Sequence, residues 1–237
     1  GLAAAAEAAG VQIHEQAMVV GIEHGSTVRV RTIAGPSVRA RHVALCCNAF
    51  IDEMISKALR DRIMPVGTYI IATERLGQVR IESLLRENVA VSDVNFVLDY
   101  FRRSDDHRLL FGGRVSYSGR DALNTANATR ARMLKVFPSL ADAKTDFAWG
   151  GHVDITMSRA PDFGRIAPNV YYLQGFSGHG IALTGIAGQM VAETIAGQAE
   201  RFDLFTKLRH RDFPGGPALR TPALMLAMLW FRLKDLL

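Results

Sequence analysis

The chain has 237 residues, enough to bury one large or two modest cores, and its 49% hydrophobic and 22% charged content is that of a globular protein. Its net charge of +5 is spread out, with no basic block interleaved with aromatic residues, which argues against nucleic-acid binding. The seven histidines fall into no metal-ligand spacing, and no stretch reaches about 18 uncharged apolar residues. We therefore predict neither a metal site nor a membrane span.

The first part of the chain is predicted to be the end of a βαβ crossover, a small meander and a buried strand. Residues 1–9 favour a helix that ends at Gly10, and residues 11–15 alternate like a short strand. Three further strand patterns, divided by turn sequences, cover residues 19–23, 27–33 and 37–40. Residues 42–47 are an unbroken apolar run, which predicts a buried parallel strand that meets a ligand at its carboxyl end.

The two cysteines, Cys46 and Cys47, are adjacent in this strand, so their side chains should point to opposite faces and form no disulfide. We expect buried thiols in a reducing compartment, and hence a cytoplasmic protein. The sequence begins with Gly1 and has no basic region before its apolar start, so we expect no signal peptide and infer a truncated chain.

From residue 62 the pattern changes to that of a second, antiparallel domain. A helical connector over residues 51–61 is expected to close at Met64-Pro65. The next strands are predicted at 66–73, 95–103, 108–114 and 145–153, with a hairpin at 104–107 and a helix at 122–137 that stops at Pro138. We place the limits of this domain near residues 62 and 155.

Beyond this domain we expect a turn-rich link over residues 159–166 and a return to the first sheet at Val170. A helix over residues 179–196 should bury one apolar side, made of Ile186, Met190, Val191 and Ile195. A last apolar helix at 223–236 is expected to dock on its own protein rather than on a membrane surface.

The stretch Gln174–Leu183, QGFSGHGIAL, predicts a strand, a glycine turn and the start of a helix. Gly175, Gly178 and Gly180 leave the backbone without side chains, so a flat or charged ligand can approach the free N–H groups. The partial positive charge of a helix N-terminus suits a phosphate, or a ring whose reduced form is an anion. The third glycine of a dinucleotide fingerprint would fall at Leu183, which disfavours a pyrophosphate loop.

Three sequence blocks carry a family resemblance. They are WGGHVDITMSRAPDFGRI at 149–166, GFSGHGIALTG at 175–185 and RFDLFTKLRHRDFPGG at 201–216. Together they resemble the C-terminal part of FAD-dependent amine oxidoreductases of the D-amino-acid-oxidase and sarcosine-oxidase superfamily, nearest to its gamma-glutamylputrescine oxidoreductase group. The GxGxxG loop of that family belongs to an N-terminal segment absent from this sequence. We therefore expect the isolated chain to bind FAD weakly and to be inactive.

The resemblance implies a mixed α/β fold. A partial, three-layer FAD-binding domain would comprise residues 1–61 and 156–237, and an antiparallel-sheet substrate domain would be inserted at 62–155. The glycine turn would lie against the isoalloxazine ring of FAD, with the helix dipole facing the N1/O2 edge.

The site residues follow from the same resemblance. The implied cofactor contacts are Val19 near the adenine; Cys47, Asn48 and Phe50 near the ribose and pyrophosphate; and Gly175, Phe176, Ser177, Gly178, His179, Gly180 and Ile181 at the ring. The family usually has glycine where Asn48 stands, and Asn tolerates the same left-handed backbone. Substrate contacts are predicted at Tyr100, Arg114 and His179. The alternatives are a core tyrosine, an exposed arginine and a capping histidine.

At two positions this sequence differs from the family pattern, and these differences narrow how FAD is bound and which substrate is oxidised. Ile155 occupies the place of the cysteine that attaches flavin in sarcosine-oxidase-like members, so FAD should be bound non-covalently. Met157 stands where amino-acid oxidases have the arginine for the substrate carboxylate. The implied reaction is hydride transfer from a neutral amine, such as a gamma-glutamylated polyamine, to flavin N5. The alternatives are an amino-acid oxidase or dehydrogenase of the same superfamily, and a cofactor-free, colourless binding fragment.

Overall fold

The computed structural model describes residues 1–95, 98–116, 125–216, 219–220, 222–223, 225–226 and 230, without the side chains of residues 114–116. The predicted strand at 95–103 and helix at 122–137 fall partly outside this range. The predicted last helix, 223–236, falls mostly outside it.

The N-terminal part forms a helix and a small antiparallel sheet. Helix α1 (Leu2–Ala8) precedes a meander of three strands, β1 (Val19–Glu23), β2 (Val28–Thr32) and β3 (Ser37–Ala40), paired in that order. The meander is as predicted. The predicted strand at residues 11–15 is wrong, because Val11 and Ile13 lie exposed on irregular backbone with no neighbouring strand to pair with.

A short strand and a capped helix follow the meander. Strand β4 covers only Val43–Leu45, and residues 48–50 form a single 3-10 turn. Helix α2 (Glu53–Asp61) begins after Asp52, whose carboxylate accepts a hydrogen bond from the Ile55 amide at 3.2 Å. Such a cap satisfies one of the free N–H groups at the start of the helix.

The second sheet has five antiparallel strands in the order β6-β7-β8-β5-β9. They are β5 (Ile63–Thr73), β6 (Val91–Ser92), β7 (Tyr100–Arg103), β8 (Leu109–Ser116) and β9 (Thr145–Thr156). Helices α3 (Gln78–Leu84) and α4 (Thr125–Val136) pack against one face of it. The core between them contains Ile71, Ile81, Leu109, Phe111 and Met133, each at most 1% exposed.

Strand β5 begins earlier than predicted, because Pro65 lies inside the strand instead of closing the connector. It pairs with Asp154 of β9, whereas the pairing of β5 with β8 starts only at Gly67. Proline is tolerated at such a sheet edge, where it removes no ladder hydrogen bond.

The chain then returns to β4. Strand β10 (Asp162–Ala167) pairs with β11 (Val170–Gln174), which runs parallel to β4, so the sheet order is β10-β11-β4. All five residues of β11 are buried. The parallel pairing is as predicted, but β10 replaces the expected turn-rich link. Gly164 belongs to this strand because its bare backbone leaves room for the Tyr172 ring, where a Cβ would lie 2.4 Å from the hydroxyl.

Helices α5 (Gly180–Ile195) and α6 (Glu200–Thr206) end the described core. Met190 and Val191 of α5 are buried as predicted. Ile186 and Ile195, also predicted to be core, are 50% and 44% exposed, because only a narrow stripe of α5 packs on β10, β11 and α6. None of the helices, as far as the structure describes them, is long and apolar enough to cross a bilayer.

The mixed α/β fold expected from the sequence is confirmed, with two small sheets and a separate five-stranded antiparallel sheet. The domain limits at 62 and 155 stay a prediction.

Candidate cofactor site

The glycine turn joins β11 to α5 through five residues. Gly175, Ser177 and Gly178 have φ angles of 74°, 52° and 91°, all in the left-handed region. Glycine adopts this backbone without strain, so the sequence explains two of the three positions. The third, Ser177, is fixed by contacts, since its hydroxyl donates to the Gly175 carbonyl at 3.2 Å.

Asp154 of β9 holds the first half of this turn. Its side chain is 2% exposed, and its carboxylate accepts hydrogen bonds from the amides of Gly175 at 2.5 Å and Phe176 at 3.2 Å. Its backbone carbonyl accepts from the Ser177 amide at 2.9 Å. The expectation of free amides throughout the turn is therefore wrong for these three residues, because the carboxylate of Asp154 accepts two of the amides and its backbone carbonyl accepts the third.

Open amides follow in the turn and at the start of α5. The amides of Gly178, Gly180 and Ile181 have no hydrogen-bond acceptor among the described residues. All three residues line a cavity of about 450 Å³. Its other lining residues are Cys46, Asn48, His152, Val153, Asp154, Leu173, Phe176, Thr184, Ala187 and Gly188.

A second cavity, of about 460 Å³, lies between the meander, β4 and α2. Val19, Cys47 and Phe50, three of the four residues predicted near the adenine, ribose and pyrophosphate, line it. Asn48, the fourth, lines the first cavity instead, with Phe176, Gly178, Gly180 and Ile181 of the group predicted at the ring. Gly175, Ser177 and His179 line neither cavity, and Cys46 borders both.

Asn48 connects the end of β4 to β9. Its φ angle is 49°, the left-handed backbone anticipated from the sequence, and its side-chain amide donates to the His152 carbonyl at 2.9 Å. The Phe50 ring contacts the His152 ring edge-on, with 5.8 Å between the centroids. Both contacts hold the loop after β4 against the strand that carries Asp154.

The cysteines are not buried as predicted. Cys46 is exposed and Cys47 half-buried, because β4 ends at Leu45 and both residues lie in the segment that borders the cavities. Both are free thiols, and desolvation raises the pKa of each, which reduces the thiolate fraction near neutral pH.

Two of the predicted substrate residues, Tyr100 and His179, do not line the first cavity. Tyr100 is half-buried on β7, with its ring packed over Gly112 where a Cβ would lie 2.3 Å away, and it lines neither cavity. Burial raises the pKa of Tyr100, opposed by a hydrogen bond with Thr68. Arg114 lies opposite Tyr69 in the sheet register, and its side chain is outside the described part.

His179 is exposed and precedes the first residue of α5. Its side chain makes no capping hydrogen bond, so the structure does not have the capping histidine given as the alternative. In the part of the chain that the structure describes, no group of three His, Cys, Asp or Glu residues could hold a metal ion.

The pKa of Asp154 gives a first testable prediction. Burial raises it above the ordinary value of 3.8, against the opposing effect of the Gly175 and Phe176 amides. A carboxyl whose folded pKa is raised contributes stability below its unfolded pKa and loses that contribution as the pH rises through the folded pKa. We expect the difference in free energy of unfolding between the unmutated chain and Asp154→Asn to fall as the pH rises over this window. Urea denaturation across pH, with the two curves subtracted, measures the difference; a difference that is flat or rises with pH would contradict the assignment.

A backbone cradle at a helix start, beside an apolar cavity and an antiparallel sheet, is the arrangement of a flavoprotein oxidoreductase. Residues 1–194 match the DAO family model, described as FAD dependent oxidoreductase, and the chain belongs to this family. The resemblance stated from the sequence is confirmed, as is FAD as the cofactor of the family.

Among its relatives, gamma-glutamylputrescine oxidoreductase of Escherichia coli K12 is 41% identical over 226 residues, which cover 95% of this chain and 53% of that protein. The probable oxidoreductase OrdL of Haemophilus influenzae is 41% identical over 239 residues, covering 99% of this chain and 54% of that protein. Glycine oxidase of Geobacillus kaustophilus has a similar fold, with a TM-score of 0.72 at 20% identity over 89% of this chain and 56% of the other. The chain thus spans about half the length of the curated relatives it matches.

Proposed function

We propose that this chain forms the flavin-ring side of an FAD-dependent oxidoreductase that oxidises a C–N bond of a primary or secondary amine of the gamma-glutamylputrescine type. The observation that carries the proposal is the set of three open amides, at Gly178, Gly180 and Ile181, on the wall of the first cavity. The substrate class is supported by the 41% identity to gamma-glutamylputrescine oxidoreductase across 95% of the chain.

The residues present fit a flavin ring. A Cβ at Gly178 would have no atom within 4 Å, and one at Gly180 would meet only the Phe176 Cβ, at 3.9 Å, so both glycines leave space that a ligand can fill. The open amides and the helix start offer hydrogen bonds and partial positive charge to an electron-rich ring edge. A flat, apolar body with one anionic edge suits this combination of apolar wall and backbone donors.

The adenosine half of FAD is assigned to the second cavity, where Val19, Cys47 and Phe50 meet. The bound cofactor would pass Cys46 between the two cavities, and Asn48 would shape the passage through its left-handed backbone. Ile155 stands at the place of the attachment cysteine in sarcosine-oxidase-like relatives, so we propose non-covalent binding.

When bound, FAD supplies the chemistry by accepting a hydride equivalent from the carbon next to the amine nitrogen. The protein has to orient that carbon and exclude water. Within the first cavity, the only carboxylate among the described lining residues is Asp154, and it is already engaged with backbone amides. A substrate amine that binds in its neutral form requires no catalytic base in this cavity. The substrate contacts at Tyr100, Arg114 and His179 stay predictions.

The test uses the product of the complete reading frame that encodes this chain. We expect a yellow protein whose flavin is released intact by heat or acid, which separates non-covalent from covalent attachment. Anaerobic mixing should bleach the flavin absorbance with gamma-glutamylputrescine much faster than with glycine or proline. Bleaching by the amino acids alone would instead support an amino-acid oxidase, and a colourless protein that binds no added FAD would refute the flavin proposal.

A further inference from the structure

Asp154 lies at an unusual place for a carboxylate. It is 2% exposed near the end of a strand, and its pKa is raised because burial disfavours the charged form. A buried charge is costly unless hydrogen bonds satisfy it. The contacts of Asp154 show which groups do so.

The hydrogen bonds of Asp154 described above all join it to the glycine turn. Three successive residues of the glycine turn donate their amides to Asp154, two to its carboxylate and one to its carbonyl. After the open amide of Gly178, the amide of His179 donates back to the Phe176 carbonyl at 2.9 Å, so the turn is closed on itself. The orientation of the remaining amides then follows from the backbone alone, because no other described group bonds to them.

We propose that Asp154 is a positioning residue, which fixes the first half of the glycine turn so that the amides of Gly178, Gly180 and Ile181 face the cofactor. The geometry of the turn does not depend on the identity of the ligand. Only the naming of the cofactor as FAD rests on the proposed function.

A carboxylate is the group that this task requires. Two N–H donors that approach one side chain need two acceptor oxygens, and an ionised carboxylate offers both. Asparagine has the same shape but only one acceptor oxygen, and its amino group would face the second N–H donor. The substitution Asp154→Asn therefore removes one turn contact with little change in volume.

A matched control exists in the same chain. Asp162 is 1% exposed and also accepts two hydrogen bonds, from the Tyr172 hydroxyl at 3.1 Å and the Gln174 side chain at 3.0 Å. Its carboxylate accepts no hydrogen bond from the described amides of residues 175–179. Asp162→Asn thus tests for the general cost of neutralising a buried carboxylate close to β11.

The first experiment measures amide hydrogen exchange in the folded chain without cofactor. In Asp154→Asn we expect exchange at Gly175 and Phe176 to accelerate about 10- to 100-fold, the range that corresponds to a lost hydrogen bond to a charged group. In the same variant, exchange in the last turns of α5 should stay within about threefold of the unmutated chain, the change expected away from a lost contact. In Asp162→Asn, exchange at residues 175–177 should stay within the same limit. Unchanged exchange at Gly175 and Phe176 in Asp154→Asn would overturn the proposal.

A second measurement needs no variant and covers the case in which Asp154→Asn does not fold. In the unmutated chain, the NMR shifts of the Gly175 and Phe176 amide protons should titrate together with a single pKa, that of the Asp154 carboxyl. Two amides that do not titrate, or that titrate with different pKa values, would show that they do not share this acceptor and would refute the assignment.

A third readout separates positioning from a merely structural role. If the contacts to Asp154 hold the open amides toward the cofactor, Asp154→Asn should bind FAD about 10- to 100-fold more weakly than the unmutated protein, whereas Asp162→Asn should keep its affinity within about threefold. Unchanged affinity in Asp154→Asn, or an equal loss in both variants, would refute positioning toward FAD. If the turn loses protection in Asp154→Asn but even the unmutated protein binds no FAD, the proposed function is refuted and the contact between Asp154 and the turn stands.

Discussion

Replacing Gly180 with leucine should abolish FAD binding and leave the fold intact. The space around this position is free of protein atoms except for the Phe176 Cβ, 3.9 Å from an added Cβ, and the residue lines the first cavity. A leucine side chain therefore fits the folded chain, but it occupies the space that a flat ligand needs. We expect FAD affinity to fall at least ~100-fold, about 2.7 kcal/mol.

The matched control is Gly185→Leu on the same helix. A Cβ at Gly185 also meets nothing within 4 Å, but this residue does not line the cavity. Fluorescence titration of FAD measures affinity, and circular dichroism with urea denaturation measures the fold. FAD binding by Gly180→Leu with unmutated affinity, or equal losses in both variants, would contradict the assignment of the cavity.

Gly175→Ala should destabilise the chain strongly. The added Cβ would lie 2.4 Å from the Thr156 Cγ2 and 3.3 Å from the Asp162 amide nitrogen, at a φ angle of 74°. A left-handed alanine costs about 1–2 kcal/mol, and forcing a methyl group into packed surroundings costs about 1–3 kcal/mol more. Urea denaturation should show a loss of about 2–5 kcal/mol in the free energy of unfolding, the sum of these two costs.

Gly197→Ala separates the two contributions. Gly197 has a similar φ angle of 96°, with no neighbour within 4 Å of an added Cβ. Its variant should lose only the backbone cost, about 1–2 kcal/mol. Equal losses at the two positions would mean that the contact with Thr156 adds nothing, and that β9 does not confine the turn as closely as the structure indicates.

Local signals in the sequence were sufficient for the parts of the fold governed by short-range chemistry. The meander follows from strand patterns divided by turn residues, and the turn before α5 follows from its glycines. Asn48 stands where the resembling family usually has glycine, and it adopts the left-handed backbone that asparagine tolerates. These features depend on neighbours within a few residues, which a single sequence displays directly.

The features that the sequence did not predict depend on long-range contacts. Asp154 looks like one polar residue in a strand, and its role depends on a turn 21 residues further along the chain. Apolar periodicity identified one side of α5, but not that Ile186 lies beyond the stripe that α6 and the sheet cover. Strand alternation placed Tyr100 on a face, but not over the bare backbone of Gly112 on the next strand.

Strand β9 pairs with β5 along its whole length, from Thr145 to Thr156, and carries Asp154 near its end. The five-stranded sheet is therefore joined to the glycine turn through the three hydrogen bonds that Asp154 accepts. A ligand that shifts the end of β9 should shift the turn amides with it. In protein loaded with FAD, we expect a bound substrate amine to change the visible flavin spectrum before any electron is transferred.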